Sequence, residues 1–100
     1  MSNDLKNIND LQNMLNEDNY FDLIGVDSIG VFGSFARGEE SNDIDLLLEN
    51  IKDKKKIIGI KDELERKIKK RIDIVFSEYA NPIILYRAKK DLKYVKKYQK

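Results

Sequence analysis

The stretch "FGSFARGEESNDIDLLLE", residues 32–49, decides how this chain folds. Its second half alternates, because Asp43 and Asp45 stand two residues apart and isoleucine and leucines fill the positions between and beyond them. Residues i and i+2 of a β-strand point to the same face of a sheet. We therefore predict a strand over 43–49 that turns two carboxylates to one face and its apolar side chains towards the core.

Composition limits the chemistry that is open to this chain. Its 100 residues fit one domain, 1–100, and its charges nearly cancel to +1, which argues neither for nor against a nucleic-acid partner. It has no cysteine and no histidine, so disulfides, thiolate metal sites and a histidine base are excluded. There is no apolar stretch long enough to cross a membrane and no signal-peptide pattern, so we expect a cytoplasmic protein.

The remaining elements follow from hydrophobic periodicity and turn residues. We predict helices over 4–17, 53–70 and 81–91, and strands over 27–33, 43–49 and 71–76. This order predicts an α/β (α+β) fold with a small mixed sheet of about three strands backed by helices. The long helix 53–70 allows a crossover, so the strands that it joins are expected to be parallel. The direction of the first strand against the second stays open.

A third carboxylate lies in the middle of the strand "RIDIVF", where Asp73 stands between two isoleucines. Burying an unpaired carboxylate is costly, and a bound cation removes that cost. If the second and third strands are neighbours, Asp73 lies beside Asp43 and Asp45. Oxygen ligands without histidine or cysteine select Mg²⁺ or Mn²⁺, and we predict that the three aspartates bind two such ions and form the catalytic centre.

The Gly33-Ser34 pair and Arg37 are candidate phosphate ligands. Glycine allows the backbone to approach a phosphate closely, and Ser34 is predicted as the N-cap of a short helical turn whose N–H groups bind a triphosphate. Arg37 follows one turn later. It either contacts phosphate or forms an ion pair with a surface acid such as Glu39, and the sequence leaves both open.

These residues together resemble a known signature. The stretch "GSFARGEESNDIDLLLE", followed by Asp73 on a later strand, is similar to the nucleotidyltransferase superfamily that includes DNA polymerase β, and above all to its minimal nucleotidyltransferases, the MNT proteins. The resemblance covers most of the chain. The spacer of eight residues between Ser34 and Asp43 is shorter than is usual in the family.

The resemblance implies a nucleotidyltransferase fold and a function. MNT proteins act as antitoxins of HEPN ribonuclease toxins and transfer AMP from ATP to a tyrosine hydroxyl of the toxin. The resemblance also implies that Asp43, Asp45 and Asp73 hold the metals and that Gly33 and Ser34 hold the triphosphate. Two alternatives stay open: an antitoxin that only binds its partner, and a nucleotidyltransferase that modifies a small molecule.

The lysine-rich segments are not predicted to take part in catalysis. The lysines of 53–70 are expected to form a solvated helix face. The tail "LKYVKKYQK", residues 92–100, is interpreted as a solvated end or part of a partner interface, and direct binding of nucleic acid is not expected.

Overall fold

The computed structural model describes residues 5–99, in which five helices and four strands follow one another along the chain. The elements are α1 Ile8–Glu17, α2 Tyr20–Ile24, β1 Ser28–Phe32, α3 Gly33–Ala36, β2 Asp43–Leu48, α4 Lys54–Ile68, β3 Arg71–Phe76, α5 Pro82–Asp91 and β4 Lys93–Lys96. The strands form one sheet in the order β3-β2-β1-β4. The predicted mixed sheet is confirmed, with four strands rather than about three.

Strand pairing places β2 in the interior of the sheet, between β1 and β3. β2 pairs with β3 in parallel, as predicted from the crossover helix α4. β2 pairs with β1 in the antiparallel direction, which resolves the alternative that the sequence left open. β4 pairs antiparallel with the other side of β1. β2 therefore has a neighbour on each side, and residues from β1 and β3 can both approach its side chains.

The alternation of β2 divides the sheet into two faces, as predicted. Ile44, Leu46 and Leu48 are at most 3% exposed and join the main apolar cluster with side chains of α1, α2 and α4. Asp43 is exposed and Asp45 half-buried on the opposite face. The core contact of the apolar face thus fixes the direction in which the two carboxylates project.

Three predictions of local structure were wrong. The first helix begins at Ile8, where the Asn7 side chain caps it, so residues 5–7 are not helical; the predicted start at residue 4 lies outside the described residues. Ser34 is not an N-cap, because the chain turns at Gly33 with a φ of +76° and Phe32 occupies the capping position. Residues 93–96 of the tail form β4 and are not simply a solvated end.

The helix α2 and the strand β4 were missed because their local signals are weak. α2 has five residues, and its apolar side chains Tyr20 and Phe21 are buried by neighbouring elements. In β4 only Val95 is buried, and its neighbours are exposed. Strand propensity depends on packing against neighbours, and here β1 supplies the pairing.

The outer edge of β4 is covered by side chains of α1. The Lys96 N–H donates to Gln12 Oε1 at 2.8 Å, and the Asn16 amide donates to the Lys96 carbonyl at 3.0 Å. The Tyr98 N–H donates to Asn16 Oδ1 at 2.7 Å. These amides take the place of a further strand and satisfy backbone groups that an edge strand otherwise leaves free.

Within residues 5–99, none of the helices combines the length and the apolar character that crossing a bilayer requires.

Candidate active site

The register of β2 against β3 brings two predicted carboxylates together. Asp45 is paired with Asp73, and Asp43 is paired with Arg71. In a parallel pair, residues in register point to the same face of the sheet, so Asp45 and Asp73 stand side by side. Asp43 lies two residues before Asp45 on the same face. The structure thus places all three aspartates on one face of the sheet, near the starts of β2 and β3.

The surroundings of Asp45 in this group of aspartates disfavour its ionised form. Burial raises the pKa of Asp45, and the charges of Asp73 and Asp43 raise it further. A side-chain hydrogen bond between Asp45 and Asp73 contributes to the same shift. Two carboxyl groups can share such a bond only if one of them carries a proton. Asp45 therefore holds a proton more tightly than an isolated aspartate does.

Gly33, which follows β1 directly, lies against Asp45. A Cβ atom added at this position would collide with Asp45 Oδ2 and would lie 3.3 Å from its Cγ. The positive φ of Gly33 is also a conformation that other residues adopt only with strain. Glycine is thus required here for two reasons, the turn and the space that the carboxylate of Asp45 occupies.

The loop between α3 and β2 is closed by Ser34 and Ser41. The Ser34 hydroxyl donates to Ser41 Oγ at 3.0 Å, and the Ser41 hydroxyl donates to the Asp43 carbonyl at 2.7 Å. The Asp43 N–H donates back to Ser41 Oγ at 3.1 Å, and Lys70 Nζ donates to the Ser41 carbonyl at 2.7 Å. Ser34 is therefore tied to the start of β2, and the short spacer is an ordered connection.

Arg37 forms ion pairs with surface acids, which is one of the two alternatives that the sequence left open. Its Nε donates to Glu39 Oε2 at 2.5 Å, and its Nη1 donates to Asp91 Oδ2 at 2.7 Å. The hydrogen bond to Glu39, and to a smaller extent that to Asp91, raises the pKa of Arg37. The pair with Asp91 links the end of α3 to the end of α5. In this arrangement the guanidinium is engaged with protein carboxylates.

The chemistry of the donor set fits hard divalent cations. The three aspartates offer only oxygen ligands, which favour Mg²⁺ or Mn²⁺. Burial first, and then the neighbouring charges of Asp73 and Asp43, raise the pKa of Asp45, and a bound cation would favour its ionised form against both effects. As the side chains stand, no three acidic groups among residues 5–99 are arranged to hold one ion. Holding one ion with all three aspartates would therefore require their side chains to rearrange.

Comparison with known proteins identifies the family and the fold of the chain. The family model described as Polymerase beta, Nucleotidyltransferase matches residues 9–100. The chain belongs to this nucleotidyltransferase family. The nucleotidyltransferase fold that the resemblance implied is therefore confirmed. No curated protein matches the sequence significantly.

Solved structures with the same fold come from toxin–antitoxin complexes. A chain in a crystal structure of mutant MntA-HpeT is 21% identical, with a TM-score of 0.64, over 85% of this chain and 75% of the other. A chain in a toxin–antitoxin structure with AMP-PNP is 21% identical, with a TM-score of 0.63, over 85% of this chain and 76% of the other. A chain in the complex of a tri-AMPylated Shewanella oneidensis HEPN toxin with an MNT antitoxin is 19% identical, with a TM-score of 0.59, over 86% of this chain and 73% of the other. At these identities the likeness shows a shared fold.

Three residues that hold the candidate site in place were not predicted from the sequence. Ser41 and Lys70 fix the loop before β2, and Asp91 binds Arg37. A serine hydroxyl that bonds the backbone N–H two residues later is a known turn pattern, so Ser41 had a local signal. Lys70 and Asp91 had none, because each meets its partner only when distant segments pack together.

Proposed function

We propose that this protein is a Mg²⁺-dependent nucleotidyltransferase that transfers AMP from ATP to a tyrosine hydroxyl of a HEPN toxin and thereby acts as its antitoxin. The observation that carries the proposal is the register of β2 and β3. It sets Asp45 against Asp73, with Gly33 pressed against Asp45 from the other side. The family to which the chain belongs supports the reaction class.

Each site residue has a role in this reaction. Asp43, Asp45 and Asp73 would hold the two cations, which when bound stabilise the charge on the transferring phosphate and lower the pKa of the acceptor hydroxyl. Gly33 leaves room for Asp45 to turn towards the ligand. Ser34 would offer its hydroxyl to the triphosphate from its position beside the start of β2. No histidine is needed in this scheme.

The proposed partner rests on the structural neighbours. One of them is a HEPN toxin complex described as tri-AMPylated, and another contains AMP-PNP, an analogue of ATP. Those descriptions concern the neighbours, and their fold is shared by this chain. A protein acceptor and ATP as donor are therefore the first substrates to test.

The test incubates the purified protein with Mg²⁺, ATP labelled at the α-phosphate, and the HEPN protein encoded beside it. We expect label on a tyrosine of the HEPN protein, and loss of label when EDTA is added. Asp45→Asn should reduce the rate at least about 100-fold, since charge-stabilising groups contribute on this scale. Glu17→Gln, at an exposed position on α1, is the matched control and should keep the wild-type rate.

Two results would contradict the proposal in different ways. If an Asp43→Asn/Asp45→Asn double variant neutralised the toxin as well as wild type, the protein would be an antitoxin that acts by contact alone. If the wild-type protein labelled small hydroxyl compounds but not the HEPN protein, the acceptor would be a small molecule. In both cases the residue roles assigned here to tyrosine modification would be withdrawn.

A further inference from the structure

Helix α5 presents its large side chains to solvent rather than to the core. Among residues 5–99, eight large apolar or aromatic side chains are exposed, and three of them, Ile83, Ile84 and Tyr86, lie on α5. Ile83 is 62% exposed and Tyr86 is 67% exposed. Of the ten residues of α5, which all lie within the described range, only Ala88 is buried. Exposed apolar side chains that cluster in this way mark interaction sites.

Helical periodicity groups these side chains into one stripe. Ile83, Tyr86 and Lys90 follow the spacing i, i+3 and i+7, which places them above one another on one side of the helix. Ala88 lies two residues from Tyr86, about 200° around the helix, on the side packed against the protein. Lys90 Nζ lies 5.0 Å from the centre of the Tyr86 ring, and this cation–π contact holds the two side chains together. We use the name α5 surface for Ile83, Ile84, Tyr86, Arg87 and Lys90.

The α5 surface and its border are positively charged. Arg87, Lys89 and Lys90 are exposed, and the ion pairs within residues 5–99 involve none of them. The one carboxylate in the sequence of this helix, Asp91, is bound to Arg37. The surface therefore offers cations beside apolar side chains. Its complement is an apolar patch edged by aspartate or glutamate.

The end of α5 lies over the face of the sheet that carries the aspartates. Gly30 is paired with Leu47, which stands two residues beyond Asp45, so a side chain at Gly30 would share the face of Asp45. A Cβ added at Gly30 would lie 2.8 Å from Leu92 Cδ1, and Leu92 follows α5 directly. The chain thus covers the β1 side of this face where α5 ends. The apolar side chains of α4 pack on the opposite face.

One flank of the α5 surface leads to the candidate active site. Ile84 and Arg87 lie seven and four residues before Asp91, so the three share one side of the helix. Asp91 accepts a hydrogen bond from Arg37 Nη1 at 2.7 Å, and Arg37 directly follows α3. α3 begins at Gly33, at the edge of the candidate site. A protein bound to the α5 surface would therefore border that site.

We propose that the α5 surface is the docking site of the protein that accepts AMP, and that this acceptor contributes an apolar patch edged by acidic side chains. The inference rests on the function proposed above and assigns the acceptor a place on this chain. A partner held there would present its tyrosine to the aspartates from the α5 side. Holding the two reactants in place is itself a large part of the rate gain in group transfer.

Two other occupants match the α5 surface less well. In a two-fold dimer the same surface meets itself, so the cations of one copy would lie near those of the other. A single-stranded nucleic acid would match the cations but would leave Ile83 and Ile84 without apolar partners. An acidic protein surface with an apolar centre matches both kinds of side chain.

The apolar part of the surface is tested by calorimetry with the HEPN protein encoded beside this chain, without ATP. The test variants are Ile83→Gln and Tyr86→Gln, made singly. The matched control is Ile58→Gln, because Ile58 is also 62% exposed and lies on α4, across the sheet. We expect each test variant to bind about tenfold more weakly, since apolar and aromatic anchors dominate binding at interfaces, and the control to bind as wild type.

The cationic part is tested with the double variant Arg87→Gln/Lys90→Gln. Its matched control is Lys55→Gln/Lys56→Gln, which removes the same charge from exposed positions on α4. We expect about tenfold weaker binding at low salt and a shallower salt dependence for the test variant alone. All substituted positions are exposed, so the fold should be retained, and urea unfolding checks this.

Transfer kinetics with the same variants separate docking from chemistry. The test variants should raise the KM for the HEPN acceptor by about the factor by which they weaken binding. The KM for ATP and the rate at saturating acceptor should stay at wild-type values. A loss of kcat with unchanged acceptor KM would contradict a docking role.

Other outcomes would also overturn the inference, and they are distinguishable from failure of the proposed function. Wild-type affinity in all α5 variants would remove the docking site and leave the function standing. A wild-type dimer that dissociates on Ile83→Gln would assign the surface to a second copy. Binding of a labelled single-stranded RNA that is lost in Arg87→Gln/Lys90→Gln, with HEPN binding intact, would assign it to nucleic acid. If the HEPN protein bound through the α5 surface but was never labelled, the proposed function would fail and the docking site would stand.

Discussion

Replacing Gly33 by alanine tests whether the close approach of β1 to the carboxylates shapes the site. The new Cβ would meet Asp45 Oδ2, so the carboxylate must move away from Asp73 or the turn must shift. A displacement on the order of 1 Å in a catalytic group costs roughly 100-fold in rate. We expect AMP transfer by Gly33→Ala to fall by about this factor.

A matched control separates the collision from the backbone strain. Gly38 has a φ of +82°, close to the +76° of Gly33, but a Cβ at Gly38 would have no atom within 4 Å. Alanine at Gly38 should therefore cost only the strain of a left-handed backbone, about 1–2 kcal/mol. Alanine at Gly33 should cost the same strain plus about 1–3 kcal/mol for overpacking.

The assay is urea unfolding of both variants, followed by the transfer rate of each under saturating ATP. Adding Asp45→Ala to Gly33→Ala should recover the extra loss of stability, because the atom that the new Cβ meets is then absent. The reasoning is refuted if Gly33→Ala and Gly38→Ala are equally stable and equally active. Such a result would show that Gly33 serves the turn alone.

Three further outcomes follow from the contacts described above. Burial and neighbouring acids raise the pKa of Asp45 in the folded protein, so without metal the folded state binds the proton more tightly than the unfolded chain. The contribution of Asp45 to the free energy of unfolding should then be largest below the ordinary aspartate pKa and be lost as pH rises through the raised value, and Asp45→Asn should remove this contribution. Mg²⁺ at 100 times its Kd should stabilise the wild-type protein by about 2.7 kcal/mol in thermal melts and leave Asp45→Asn almost unchanged. Asn16→Ala removes the hydrogen bonds to the Lys96 carbonyl and the Tyr98 N–H and should cost about 1–3 kcal/mol in urea unfolding, whereas Glu17→Ala next to it should change stability by no more than about 0.5 kcal/mol.

Local sequence predicted much of the fold because its signals are periodic. The three strands at 28–32, 43–48 and 71–76 lie inside the predicted ranges, and α4 and α5 fall within one or two residues of them. Those segments carry alternating or helical apolar patterns that do not depend on distant partners. The segment 93–96 carries none, so its strand character emerged only from pairing with β1.

The candidate site was predictable in its residues and not in its contacts. Asp43, Asp45 and Asp73 were identified from parity and an unusual acid in an apolar strand. Arg37 was identified too, but its partner Asp91 lies 54 residues later in the sequence, and no local pattern around either residue predicts the ion pair. Contacts of this kind depend on the packing of α3 against α5.

By itself, the sequence determined which residues can form strands and which face of β2 carries carboxylates, because side-chain direction alternates with a period of two along any strand. The tertiary structure decided the register, which sets Asp45 against Asp73 and brings Gly33 onto the same carboxylate. Register is set by the burial of whole apolar faces across several elements, and a slip of one residue would turn every side chain to the other face. The chemistry of this protein therefore depends on a pairing that no local segment encodes.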